Sequence, residues 1–372
     1  MDRVEPKALV LPPTCFARER VVGGGERYAL EYARALAEYV PTTLALFDTI
    51  SEPVSTHEGR LEIRTFPVRS TKPRWVLQPA GTTWKELGRY DLFHLMWFPH
   101  PAADLLMFSA MLRKQRVFLT DVGGGAPCLS SRLAVRGIRC GLYRWADGLA
   151  HLSAHAATDL PGYNQPATVL FGGADQALRN AGDSRFEGYA LFVGRLLKHK
   201  GVLELIEAVS PKTPLRIVGR PYDPAYFDQL KAAAAGKNIT FIQDADDAEL
   251  RRQYSGANVV LQPSVPAGAK PELLGLVCLE GMASGKPVIV TRLTSLPELV
   301  VDGVTGYIVP PYDREVLGRR IDELVFNPDL AAKLGGQARA HVLAKFTWDS
   351  TVRRGMELYK RFLPANRRAG LP

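Results

Sequence analysis

Pro271-Glu-Leu-Leu-Gly-Leu-Val-Cys-Leu-Glu-Gly-Met-Ala-Ser-Gly-Lys-Pro-Val288 decides how the second half of this chain folds. Leu276, Val277, Leu279, Met282 and Ala283 describe a short helix that is apolar nearly all round, and such a helix is buried. β-rich runs flank it, Val259-Val-Leu261 before and Pro287-Val-Ile-Val290 after. Runs that are continuous instead of alternating suit strands covered on both faces, and strand, helix and strand in succession make a parallel βαβ unit.

The same alternation extends both ways. Gly306-Tyr-Ile-Val309 follows, and Ala190-Leu-Phe-Val193, Leu215-Arg-Ile-Val218 and Ile239-Thr-Phe-Ile242 precede. An earlier series comprises Ala8–Leu11, Thr43–Phe47, Leu61–Phe66, Asp91–Met96, Arg116–Thr120, Leu149–Leu152 and Thr168–Phe171. Between the two series, Gly172 to Gly188 is polar and lacks apolar periodicity. The expectation is α/β, two Rossmann-like domains: residues 1–172, a linker at 173–188, and residues 189–346. Trp348 to Phe362 reads as one more helix, with Met356, Leu358, Tyr359 and Phe362 on a broad face. A length of 372 residues, at about 150 per domain, agrees with two domains.

The chain is 46% hydrophobic and 23% charged, which excludes wholesale disorder, collagen and a pure coiled coil. Its formal net charge of +9 favours anionic partners. Residues 1–172 carry +4 and the remainder +5, so no basic tail for nucleic acid is gathered anywhere. Cys15, Cys128, Cys140 and Cys278 are too scattered for a disulfide scaffold or a zinc site. Pro6, Pro12 and Pro13 interrupt the first apolar run, so no signal peptide is expected. Leu92 to Met111 contains His94, Pro99, His100, Pro101 and Asp104 and does not read as a membrane span. The expected setting is the cytoplasm, with peripheral contact at the inner membrane face as an option.

Three segments carry candidate chemistry. Val21-Val-Gly-Gly-Gly-Glu-Arg27 joins a strand to a helix expected over Tyr28–Tyr39, and its glycines let backbone amides approach a ligand. The plain alternative is a tight turn; the spacing is not that of a dinucleotide fingerprint. In the opening segment, Glu280 sits inside an apolar helix and Glu272 just before it, eight positions away. Along a helix that is about 12 Å, roughly the reach from a sugar across a diphosphate to a ribose. The intervening helix start attracts phosphate. The alternative is a buried Glu bonded to a neighbouring backbone group or Arg. Leu191-Phe-Val-Gly-Arg-Leu-Leu-Lys-His-Lys-Gly201 is a strand, a glycine turn and two cations, Arg195 and Lys200. They suit a departing nucleoside diphosphate, or else belong to a solvated turn.

Gly23-Gly-Gly-Glu26, Val193-Gly-Arg195 with Lys200-Gly201, and Glu272 with Glu280 resemble the retaining glycosyltransferases of family 4, which have the GT-B fold and use nucleotide-sugar donors. Leu170-Phe-Gly-Gly-Ala-Asp175 is similar to the family's linker signature, and Leu296-Pro-Glu-Leu-Val-Val-Asp-Gly-Val-Thr-Gly306 to its late loop. The likeness is dense in the second half and thinner in the first. It implies two domains facing across a cleft, with residues 347–372 forming a helix that packs back toward the N-terminal domain. It implies that Arg195 and Lys200 hold the donor diphosphate, Glu272 contacts the transferred sugar and Glu280 the ribose. Gly194, Gly219 and the segment Leu273, Leu274, Gly275 and Leu276 complete the donor site by the same resemblance. Gly23, Gly24 and Gly25 would border the acceptor.

Many relatives carry a His after the strand that here reads Phe118-Leu-Thr-Asp-Val-Gly-Gly-Gly125. Asp121, His94 or His100 would have to replace it, although a lone His in an apolar run is more often a core residue. Asp244-Ala-Asp-Asp247 has the look of a metal motif, but Asp246 stands three before Glu249 at a helix start, which is capping-box spacing. No metal and no cofactor are expected. Arg132, Arg136 and Arg139, followed by Tyr143, Arg144 and Trp145, form a basic face that suits solvent or anionic lipid. The expected function is transfer of a sugar, with retention, from a nucleotide-diphosphate sugar to a hydroxyl of a glycan, lipid-linked or small-molecule acceptor. A GT-B sugar-nucleotide epimerase, a glycogen-type phosphorylase and a non-catalytic nucleotide-sugar-binding protein are the alternatives. Short length and the lack of an obvious lysine-anchored cofactor site count against the phosphorylase.

Overall fold

The computed structural model describes residues 5–13, 15, 24–69, 81–97, 101–122, 145–157, 167–174, 178, 184–267, 272 and 274–364. Gly23, His100, Leu273, the basic face at 132–144 and the end from 365 lie outside the described residues. The chain divides into two compact units, residues 1–171 with 348–372, and residues 172–347.

In the first unit the strands are β1 (Ala8–Leu11), β2 (Thr42–Asp48), β3 (Val54–Glu58), β4 (Leu61–Pro67), β5 (Leu92–Trp97), β6 (Arg116–Asp121), β7 (Gly148–His151) and β8 (Ala167–Val169). Helices α1 (Gly24–Ala37), α2 (Gly81–Leu87), α3 (Pro101–Leu112) and α4 (Ala154–Ala157) lie between them. The sheet order is β3-β4-β2-β1-β5-β6-β7-β8, parallel except for the β3–β4 pair. β1 is buried throughout, as its unbroken apolar run requires. β3 escapes sequence reading because Val54-Ser-Thr-His-Glu58 is a largely exposed, polar edge strand.

The second unit contains β9 (Ala190–Val193), α5 (Val202–Ala208), β10 (Leu215–Val218), α6 (Pro224–Ala234), β11 (Ile239–Ile242), α7 (Asp247–Gly256) and β12 (Val259–Gln262). α8 (Leu276–Ala283), β13 (Val288–Thr291), β14 (Gly306–Val309), α9 (Arg314–Val325) and α10 (Pro328–Lys345) follow. Its sheet runs β11-β10-β9-β12-β13-β14 and is parallel throughout. From β9 the chain first builds outward to β10 and β11, then returns to place β12 on the other side of β9. That reversal is the topological switch point, where such sheets open a crevice at the carboxyl ends of their strands.

The end of the segment read as a linker is part of this second unit. Arg185 N donates to Ser255 O and Glu187 N to Gly256 O, each at 2.9 Å. Lys286, fully buried, donates to the Arg185 carbonyl and lies 4.0 Å from the centre of the Phe186 ring. Burial depresses this ammonium to about 7, against the opposing pull of Glu187.

Helix α11 (Trp348–Lys360) returns to the first unit and buries Trp348, Thr351, Val352, Gly355, Met356, Leu358 and Tyr359. Gly355 is needed there, since a Cβ would stand 2.1 Å from the Tyr32 hydroxyl of α1. The Tyr32 and Tyr359 hydroxyls share a hydrogen bond of 2.8 Å. His94 lies in the middle of β5, fully buried. Its Nδ1 meets the Tyr359 hydroxyl and its Nε2 the Thr120 hydroxyl at 2.5 Å. The placing of His94 at the acceptor is therefore corrected: both ring nitrogens are committed to packing α11 on the sheet.

Burial holds His94 neutral, with its pKa lowered to about 3 from 6.5. A base whose folded pKa is depressed contributes stability above its unfolded value and loses it as pH falls. We therefore expect stability to fall from pH 6.5 downward by up to about 1.4 kcal/mol per pH unit. Denaturant titrations across that range check this, and His94→Gln should flatten the slope.

Candidate functional site

The second unit brings its candidate residues together at the carboxyl ends of β9 and β12. After β9 the chain turns through Gly194, whose φ of 153° suits only glycine, and Gly194 N donates to Val218 O at 2.9 Å. A Cβ on Gly219 would stand 1.8 Å from the Gly194 carbonyl oxygen, so the β9 and β10 loops touch backbone to backbone. Arg195 projects to solvent from this turn, its guanidinium 5.8 Å from the centre of the Tyr222 ring.

A short 3-10 turn, Lys198–Lys200, then ends on Gly201 at φ 69°. A Cβ on Gly201 would meet the Pro263 carbonyl oxygen at 1.8 Å, which presses this turn onto the end of β12. Gly201→Ala combines a left-handed backbone with that collision. It is expected to cost about 3 kcal/mol or more, read as a lowered Tm, and to displace Lys200.

Lys200 Nζ lies 2.5 Å from Glu272 Oε2, the two side chains 18% and 8% exposed. Ser264 Oγ, two residues past β12, donates to the same oxygen at 3.2 Å. Burial pushes the Glu272 pKa up, but the charge and hydrogen bond of Lys200, with hydrogen bonds from Ser264 and Gln262, outweigh burial and hold the carboxyl below its usual range. The Glu272 carbonyl is held as well, accepting from Thr294 Oγ1 and from Ser295 Oγ at 3.1 Å. Thr294 has φ 47°, a strained setting for a β-branched residue.

α8 begins at Leu276 with Gly275 as its N-cap, and no side chain caps it. Its first amides have no acceptors within the helix, which makes that end a place for an anion. Gly275 is packed too tightly for a side chain, a Cβ standing 2.4 Å from Leu299 Cδ1. Glu272 precedes the helix in irregular chain, so the 12 Å helical spacing to Glu280 does not hold. Glu280 lies inside α8, 4% exposed, and the Tyr254 hydroxyl donates to its Oε2 at 2.7 Å. Cys278 donates to Gln262 Oε1 at 2.9 Å, and burial pushes its thiol well above the usual range.

Residues 179–341 match the family described as glycosyl transferases group 1. The second unit is a group 1 glycosyl transferase domain. A glycogen synthase of Mycobacterium tuberculosis is 26% identical over 355 residues, 86% of this chain and 83% of that protein. Sucrose-phosphate synthase from Thermosynechococcus elongatus has a TM-score of 0.71 at 21% identity, covering 96% of this chain and 99% of that one. HepE of Anabaena, in complex with UDP and glucose, has a TM-score of 0.73 at 17% identity over 96% and 100% of the two chains. These structural likenesses establish the fold, which is GT-B. The chain is a glycosyltransferase.

Within the group 1 domain, Gly194, Lys200, Gly219, Glu272, Leu274, Gly275 and Leu276 border the switch point, and Arg195 stands exposed on the same loop. Ser264, Thr294, Ser295 and Tyr254 complete the setting, and none of them stands out in the sequence. A Thr-Ser pair in a loop gives no signal of its own, and a Tyr on another helix gives none of its reach to Glu280. Asp246 caps α7, its carboxylate accepting from Glu249 N at 2.7 Å. The reciprocal half of the box is not formed, because Glu249 turns to Arg252 and Gln253. Asp244 pairs with Arg220 at 3.4 Å on the surface.

In the first unit, Gly24 and Gly25 begin α1, earlier than the expected start at Tyr28. A Cβ on Gly25 would lie 3.2 Å from Pro13 Cγ, so this glycine serves a close approach of chain to chain. Asp121 ends β6, buried, beside His151 in the register of β7. No described helix is long and apolar enough to cross a membrane.

Proposed function

We propose that this chain moves a sugar from a nucleoside diphosphate donor to an acceptor hydroxyl, with retention at the anomeric carbon and without a metal. The Lys200–Glu272 pair at the switch point carries the reading. An ammonium there meets the diphosphate oxygens as the glycosidic bond breaks and negative charge develops on the leaving group. Arg195, free to swing from its exposed turn, adds a guanidinium fork, and the α8 amides add dipoles. Glu272, kept ionised, does not serve as a proton donor. Its role is to accept hydrogen bonds from the sugar once Lys200 turns to phosphate, and to face the positive charge of an oxocarbenium-like state. The leaving phosphate takes the proton of the attacking hydroxyl on the same face, so no protein base is required. Glu280, steadied by Tyr254, is assigned the ribose hydroxyls.

The Anabaena neighbour is also solved with UDP-glucose, which makes uridine the first base to try. With UDP-glucose, GDP-mannose and ADP-glucose as donors, one is expected to release its nucleoside diphosphate slowly with water alone and faster with acceptor. Chelation by EDTA should leave the rate unchanged, and the product should keep the donor's anomeric configuration by NMR. An inverted product or an EDTA-sensitive rate contradicts the mechanism. Epimerised donor formed without acceptor would favour an epimerase.

A further inference from the structure

A cavity of about 400 Å³ lies in the first unit at the amino ends of the parallel strands. Lys7 precedes β1, Thr42 opens β2, Arg60 precedes β4 and Arg89 lies just before β5, and all four line it. Open parallel sheets bind substrates at their carboxyl ends, where Asp121 sits here, so this cavity is at the opposite end of the sheet. Its volume falls within the range for small-molecule sites and far exceeds the needs of a lone inorganic ion.

The cavity walls carry Lys7, Arg60, Arg64 and Arg89 against two acids, Glu62 and Glu86. Arg64 bridges both acids, at 2.8 Å to Glu62 and 2.6 Å to Glu86. Arg64 thereby offsets one of those two negative charges and holds both carboxylates in place, and Ser55 donates to Glu62 at 2.6 Å as well. Arg60 pairs with Glu5 at 2.5 Å. The Lys7 ammonium and the Arg89 guanidinium remain, exposed and without a hydrogen bond or ion pair to a described residue. Their backbones are fixed: Lys7 N donates to Asp91 Oδ2 at 2.8 Å, Asp91 N to Lys7 O at 2.9 Å, and Arg89 N to Glu86 O at 3.0 Å. One wall is the Tyr90 ring, held by its hydroxyl's bond to Thr43 Oγ1 at 3.1 Å. Two unspent cations, one of them a guanidinium fork, suit a phosphate. An aromatic ring beside fixed carboxylates and threonine hydroxyls suits a polar, sugar-sized body.

We infer that this cavity is a second binding site, taking a phosphorylated small molecule whose phosphate sits on Lys7 and Arg89 and whose body lies against Tyr90. The test is titration calorimetry on the full chain with glucose 6-phosphate, glycerol 3-phosphate and pyrophosphate at millimolar concentration, alongside vesicles carrying phosphatidylglycerol. The donor site itself attracts phosphate, so Lys200→Ala is measured in parallel. At least one probe is expected to bind to wild type and to Lys200→Ala alike. The double variant Lys7→Ala/Arg89→Ala should weaken that binding by about tenfold or more. Both replaced side chains are exposed, so its Tm without ligand should match wild type. Binding of free phosphates lost in the double variant assigns a soluble metabolite; vesicle binding lost in the same variant assigns a lipid headgroup. No binding of any probe, binding untouched by the double variant, or binding abolished by Lys200→Ala overturns the inference.

Discussion

Lys200→Ala is expected to lower turnover by about two to three orders of magnitude, the usual effect of removing one fixed donor from a site of developing negative charge. The same change strands Glu272, a carboxylate 8% exposed whose strongest partner is Lys200. Stripping one member of a buried pair costs on the order of 3–5 kcal/mol, so lost activity alone would not separate chemistry from folding. Lys200→Ala/Glu272→Gln, with its turnover compared with that of Glu272→Gln alone, resolves the two. The neutral amide needs no counter-charge, so stability should return toward wild type while turnover stays low. Recovery of turnover together with stability would reduce Lys200 to a structural partner. Turnover per folded molecule, with Tm measured on the same samples, reads both effects.

His94→Ala is expected to have the largest effect on stability alone. It empties an imidazole from a fully buried position and leaves the Thr120 and Tyr359 hydroxyls short of a partner. Cavity and lost hydrogen bonds together should cost about 3 kcal/mol or more, seen in urea unfolding as a lower midpoint at unchanged slope. The acid slope below pH 6.5 should become shallower with it, and the remainder belongs in part to His341, whose imidazole burial also holds below its usual range. An unchanged midpoint would mean that α11 holds to the sheet without this network. Donor binding should survive, since His94 belongs to the first unit and the donor residues to the second.

These two residues also mark where sequence reading succeeds and stops. Lys200 is legible because a strand, a glycine turn and a cation lie within a few residues of one another, and the local chain fixes their order. The apolar helix around Glu280 is legible for the same reason, and burial of Cys278 through Ala283 follows from its all-round apolar surface. The Asp246 cap is local too. His94 reads correctly as a strand residue but not as a partner of Tyr359, which lies 265 positions away. Nor does sequence show that Ser264 meets Glu272, that Tyr254 meets Glu280, or that Thr294 takes a strained φ to reach the Glu272 carbonyl. Those contacts depend on strand order, and the placement of β12 beside β9 is not written in either strand. β3 escapes the sequence pattern for a different reason: an exposed edge strand needs no apolar alternation.

The most direct measurement is a crystal structure of the full chain soaked with the nucleotide sugar that calorimetry selects. Diphosphate oxygens within hydrogen-bonding distance of Lys200 Nζ and the first amides of α8, with the Lys200–Glu272 contact opened and Glu272 turned to the sugar, are the result expected. A nucleotide bound elsewhere, with Lys200 still closed on Glu272, would contradict it.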